Sequence, residues 1–105
     1  MAALYISEYP DLPGAYATYT PQVVRDPPIV DQVPLAIGAT ATVSSAFNAR
    51  TRIVRLHCDV VCSILIGPAG STTATAANAR MAANQTEYRM VVAGAGHVVS
   101  VITNT

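Results

Sequence analysis

The residues most capable of chemistry in this 105-residue chain fall in one run, His57-Cys58-Asp59, with Cys62 close behind and His97 far downstream. Imidazole, thiolate and carboxylate are all metal ligands, and a thiol beside an imidazole is a basis for nucleophilic catalysis. The surrounding pattern argues against both. In the segment Arg52 to Ile66 the even positions after Arg52, namely Val54, Leu56, Cys58, Val60, Cys62, Ile64 and Ile66, are all apolar, while the odd ones include Arg55, His57, Asp59 and Ser63. Period two marks a half-buried strand, or two strands meeting near Asp59. On a strand His57 and Asp59 point to one side and Cys58 to the other, so the three cannot converge on an ion. A cupin-type site would need a cluster of histidines with a carboxylate on facing strands, and the chain has two histidines in all. Both cysteines lie on the apolar parity, where thiols are usually inert. At about 3.3 Å per residue along one strand they would stand roughly 13 Å apart, beyond the span of about 7 Å between Cα atoms that a disulfide allows. Reduced, buried thiols are the expectation.

Other motifs carry less. Gly67-Pro68-Ala69-Gly70 and Gly94-Ala95-Gly96 are not phosphate loops, because no Lys follows and the second sits between strands rather than before a helix. Asn84-Gln85-Thr86 matches a glycosylation sequon, which matters only on a secreted chain. Arg50, Arg52 and Arg55 form a small basic strip, and every basic residue of the chain is Arg. Arg favours bidentate pairing with carboxylates at protein contacts; a solvated polar face is the other reading. The sequence thus offers no catalytic residue, no metal site and no cofactor.

The elements that position these residues are built from an unusual composition. Half of the chain is hydrophobic (51%) and only 11% is charged, against about a quarter in ordinary globular proteins. Ala, Val and Thr (18, 13 and 11 residues) must cover much of the surface, which suits packing against other protein. A formal net charge of zero argues against nucleic acid or an anionic membrane as partner, since both need a basic excess. No apolar run approaches the roughly 18 residues of a membrane span, and the start MAALYISEYPDLPG lacks the basic and apolar regions of a signal peptide. Neither a leader nor an anchor is expected.

Proline divides the chain near residue 34. Pro10, Pro13, Pro21, Pro27, Pro28 and Pro34 precede the boundary and only Pro68 follows it. Proline removes a main-chain donor and biases its predecessor towards extended conformations, so residues 1–34 are expected as an extended arm containing no helix or central strand. Tyr5, Tyr9, Tyr16 and Tyr19 lie in this arm, spaced to lay rings on a partner surface. The charge splits at the same place. Glu8, Asp11, Asp26 and Asp31 against Arg25 give minus three, whereas five Arg against Asp59 and Glu87 give plus three beyond it. Chance in a small sample explains the split; so does an acidic arm docking on the basic body of a neighbour, in which case deleting residues 1–30 leaves a folded, assembly-deficient body.

Residues 35–105 read as that body. Leu35 to Phe47 is a candidate strand rich in Thr, followed by a polar turn at Asn48 to Thr51. Ala74 to Ala83 could be a short helix by propensity, but extended chain fits its β surroundings better. Glu87 to Val92 carries Tyr88, Met90 and Val92 on one face and is expected to form a hairpin with His97 to Thr103 through Ala93 to Gly96. Short strands with turn signals every 8 to 12 residues or so predict an all-β protein, a small antiparallel β-sandwich of jelly-roll type.

Three blocks, LYISEYPDL, AFNARTRIVRLHCDVVCSILIG and RMAANQTEYRMVVAGAGHVVSVITNT, together resemble short structural proteins encoded among the head genes of tailed bacteriophages. In that family a strand R-x-H-x-D-x-x-C-S-I-x-x-G precedes R-x-A-A-N-Q-T-E-Y and a terminal V-x-x-G-A-G hairpin. Arg80, Asn84, Gln85, Glu87 and Tyr88 fall on the second motif; at Cys58 the family pattern more often has a small polar residue. The resemblance implies a non-enzymatic capsid decoration, or cement, protein of the virion, made in the host cytoplasm. Such a protein binds the outer surface of the major capsid protein shell as a dimer or trimer of itself and bridges capsomers. Tyr5, Tyr9, Tyr16, Tyr19, Arg50, Arg52 and Arg55 are then the candidate partner-binding residues. A jelly-roll module binding a small ligand or carbohydrate, or a minor tail protein, is the alternative.

Overall fold

A computed structural model describes residues 2–10 and 27–104, and among them every regular element is a strand. One antiparallel sheet holds β1 (Ala3–Tyr9), β2 (Val30–Asp31), β3 (Leu35–Ala36), β5 (Ile53–Cys58) and β8 (Thr86–Met90). The other holds β4 (Thr42–Val43), β6 (Cys62–Pro68), β7 (Ala79–Met81) and β9 (His97–Thr103), in the order β4-β9-β6-β7. The two sheets pack face to face as the expected small antiparallel sandwich. Leu4, Ile6, Val54, Leu56 and Cys58 from the first layer meet Cys62, Ile64, Met81, Val99 and Val101 from the second, with Ile37 and Phe47 closing the core. Removing each such side chain from water contributes about 1.5–3 kcal/mol.

The first strand overturns one expectation. β1 is central: it pairs with β5 over six residues on one side and with β2 and β3 on the other. The arm expected at 1–34 therefore yields residues 3–9 and 30–31 to the body, and Tyr9 is only 4% exposed. The physical reason is that proline first occurs at Pro10, so nothing interrupts the alternation of Leu4, Ile6 and Glu8 inward with Tyr5 and Ser7 outward. Deleting residues 1–30 would remove the middle of a sheet. Residues 11–26, with Tyr16 and Tyr19, lie outside the described residues.

The chain changes layer at two links, the first at the junction near Asp59 that the two-strand reading of the run expects, the second in place of the expected hairpin. The alternating run breaks at residues 59–61, so Cys58 ends β5 in one sheet and Cys62 begins β6 in the other. The spacing of a single strand does not apply, and both thiols, free and buried, enter the same core. Likewise β8 and β9 form no hairpin: β8 lies on β5, whereas β9 lies between β4 and β6. Gly94 and Gly96, at φ 78° and 65°, take left-handed conformations that cost glycine least and turn the chain from one layer to the next. The candidate strand at Leu35 to Phe47 shrinks to the two-residue β3 and β4. Its hydroxyls bind main chain instead of leaving the ladder to do so: Thr42 Oγ1 donates to Ala36 O at 2.7 Å, and Ser44 Oγ accepts from Val99 N at 3.0 Å. Ala74 to Ala83 contains no helix, in line with the extended reading.

Candidate functional site

The two outer faces of the sandwich differ. That of the second sheet is roofed by the segment between β6 and β7. There Ala74 N donates to the buried Ser100 Oγ at 2.9 Å, and Asn104 Nδ2 reaches Ser63 Oγ at 2.7 Å and Ala76 O at 3.2 Å. Thr72, Ala74, Ser63, Val98 and Ser100 are buried as a result.

The outer face of the first sheet presents side chains in cross-strand rows. One row runs Asp31, Ser7, Arg55, Tyr88; another runs Tyr5, His57, Thr86. Ser7 Oγ donates to Asp31 Oδ1 at 3.0 Å, His57 Nδ1 shares a 2.8 Å hydrogen bond with Thr86 Oγ1, and the Tyr5 and His57 rings lie 6.3 Å apart. Tyr5 (42% exposed), Tyr88 (49%) and Met90 (86%) stand out from it. Two aromatic rings, a thioether, a guanidinium and an imidazole on a pleated surface can bind another protein through apolar contact and charge-assisted hydrogen bonds.

β8 is inverted relative to its neighbours. Its apolar parity, Tyr88 and Met90, faces out, and its charged parity, Glu87 and Arg89, faces the second sheet. Arg89 donates to Glu87 Oε1 through Nε at 3.0 Å and Nη2 at 2.7 Å, and Gln85 Nε2 adds a 2.6 Å bond to Glu87 Oε2. The charged pair is thereby held at the edge of the layer. A cleft of about 410 Å³ opens beside it, lined by Leu65, Ile66, Met90, Val91 and Val92 among others. Val92 itself is 64% exposed.

The candidate residues separate into groups. Tyr5 and Arg55 belong to the open face, whereas Tyr9 is buried. Arg50 and Arg52, both exposed, line a different shallow cleft with Pro10, Ala49 and Ala93, so the basic strip does not converge on one spot. His57 turns outward to Tyr5 and Thr86 while Cys58 turns into the core and donates to Ala82 O at 3.0 Å. His57, Tyr88 and Met90 share the open face without being among the candidate partner-binding residues. The apolar alternation of Tyr88, Met90 and Val92 was visible, but alternation alone does not say which parity is buried.

Glu8, counted above with the acidic arm, is fully buried and structural. Oε1 accepts from Asn48 N and Thr51 Oγ1, each at 2.7 Å, and Oε2 from Gln32 Nε2 at 2.7 Å. Burial first, then the neighbouring Cys58 thiol and the Glu87 carboxylate, push the Cys62 thiol up to about 12 from its ordinary 9.0. Compared with known proteins, the chain matches no family model, no curated protein and no solved structure.

Proposed function

We propose that the chain is a non-enzymatic structural protein of a tailed-phage virion, a decoration protein that seats its open sheet face on the major capsid protein shell and bridges neighbouring capsomers. The observation that carries this reading is the inversion of β8. An 86%-exposed Met90 beside a half-exposed Tyr88, with the charged residues turned inward, is costly in water and favourable under a partner. The sparse charge of the chain and the resemblance of its three blocks to phage head proteins support it. Each contact is weak, and many copies on one lattice act together through avidity.

The test is co-sedimentation of the purified protein with empty shells of the phage that encodes it, together with the disruption temperature of those shells. Binding that raises this temperature, and that weakens at least tenfold in Tyr5→Asp and Arg55→Glu proteins, is the expected result. Absence of binding to the shells sinks the reading.

A further inference from the structure

We propose that β8 is a self-pairing edge, and that two copies join antiparallel along it about a two-fold axis at Tyr88, fusing their first sheets into one continuous sheet. Among the described residues β8 pairs with β5 alone, and its five residues make it the longest strand with a free edge; β2, β3, β4 and β7 have two or three. No proline or lysine guards it, and its two inward-turned charges, of a kind that can blunt an edge, already neutralise each other as the Glu87–Arg89 pair.

The hydrogen-bond parity of β8 determines which groups are on offer. Val91 N donates to Arg52 O at 2.8 Å and Cys58 N to Gln85 O at 3.2 Å. In the register Val54↔Arg89 and Leu56↔Glu87, residues 85, 87, 89 and 91 thus turn their main chain towards β5. Thr86, Tyr88 and Met90 then turn their N–H and C=O groups to the free edge. A second β8 centred on Tyr88 meets all of these. Tyr88 pairs with Tyr88 of the second copy, and Thr86 pairs with its Met90.

Charge selects that register over its neighbours. Centring on Glu87 or on Arg89 would also match the main-chain parity, but it would set Glu87 opposite Glu87 or Arg89 opposite Arg89, and like charges directly opposite are destabilising. Centring on Tyr88 sets each Glu87 opposite Arg89 of the other copy, extending the ion pair already made within the strand into a four-member network. The arrangement is self-complementary, as a two-fold interface must be. It also places two open faces side by side.

This inference stands without capsid binding, because its test contains no shells. The molecular mass of the full-length protein at tens of micromolar is measured by sedimentation equilibrium, with circular dichroism as the check of folding. The wild type is expected at twice the chain mass. Glu87→Arg and Arg89→Glu proteins, which set like charges opposite each other, are expected as folded monomers with at least a tenfold weaker self-association. Mixing these two restores opposite charges at both positions, and a heterodimer is expected. A monomeric wild type, or variants that dimerise as well as the wild type, or a mixture that stays monomeric, each overturns the proposal. Met90→Pro keeps the ladder to β5, since the N–H that it removes faces the free edge, and is expected to weaken the dimer while the fold remains.

Discussion

The Thr51 hydroxyl donates to Glu8 Oε1 at 2.7 Å across 43 residues of chain, with both side chains fully buried. Glu8 thereby ties β1 to the turn that precedes β5, and through Gln32 to the segment after β2. Replacing Glu8 by Ala leaves the buried Thr51 hydroxyl without this acceptor, at about 1–3 kcal/mol, and removes the charge-assisted bonds from the exposed Asn48 N and the partly exposed Gln32 Nε2. Glu8→Ala is expected to lose roughly 3 kcal/mol or more in urea unfolding. Glu8→Gln keeps the shape and an accepting oxygen, and should lose less. Equal losses for the two would show that the packing, and not the hydrogen bonds, carries the stability.

β1 supplies the next prediction. Ile6 is fully buried and sits opposite Leu56 in the central pair of the first sheet. Ile6→Ala is expected to cost about 2–5 kcal/mol. Removing residues 1–9 should leave no cooperative thermal transition, because Val54, Leu56 and Cys58 would lose a flanking strand. A truncated chain that melts cooperatively near the wild-type temperature would contradict the placement of β1 at the sheet centre.

How far the fold could be read in advance varied with the kind of signal. β9 begins and ends at His97 and Thr103 as its alternation implied, and the inward parity from Val54 to Ile66 holds through the layer change at residues 59–61. The layer change itself was only half legible. Period two survives a three-residue corner, so the pattern fits one strand as well as two meeting near Asp59, and only the single strand sets the two thiols far apart. Proline density over residues 10–34 masked the short LYISEY alternation ahead of it. On the outer face of the first sheet, Tyr5 and Arg55 were within reach because aromatic rings and guanidinium groups are the residue types singled out for contact. His57, Tyr88 and Met90 were not, since their exposure depends on which sheet lies behind them, which is a tertiary fact.

Ser100 is the pin of the covered face. Its hydroxyl donates to Thr42 O at 3.0 Å while accepting from Ala74 N at 2.9 Å, and the side chain is fully buried. Ser100→Ala leaves both main-chain groups without that partner and is expected to cost about 2 kcal/mol. The amide of Ala74 should lose hydrogen-exchange protection first, ahead of those in β6 and β9. Thr73→Ala, at an exposed position of the same segment, is the control, with a change within about 0.5 kcal/mol. Unchanged exchange at Ala74 in the Ser100 variant would mean that the segment is held by other contacts.

Cys62 sets a pH dependence on the alkaline side. Burial, Cys58 and Glu87 raise its thiol to about 12, against an ordinary 9.0 in the unfolded chain. Below pH 9 both states hold the proton and the contribution of Cys62 is constant. Above it the unfolded chain releases the proton while the folded one keeps it, so the unfolded state binds fewer protons and stability falls as pH rises towards 12. Cys62→Ala should flatten this decline between pH 9 and 11 relative to the wild type, while lowering stability at pH 7 through the lost buried sulfur. Thiol titration with a disulfide reagent gives the second readout. The folded wild type should stay unreactive at pH 8 and react only at the rate of unfolding, because a buried thiol held in its neutral form is a poor nucleophile. Rapid labelling of Cys62 in the native protein at that pH would show that the core opens around β6.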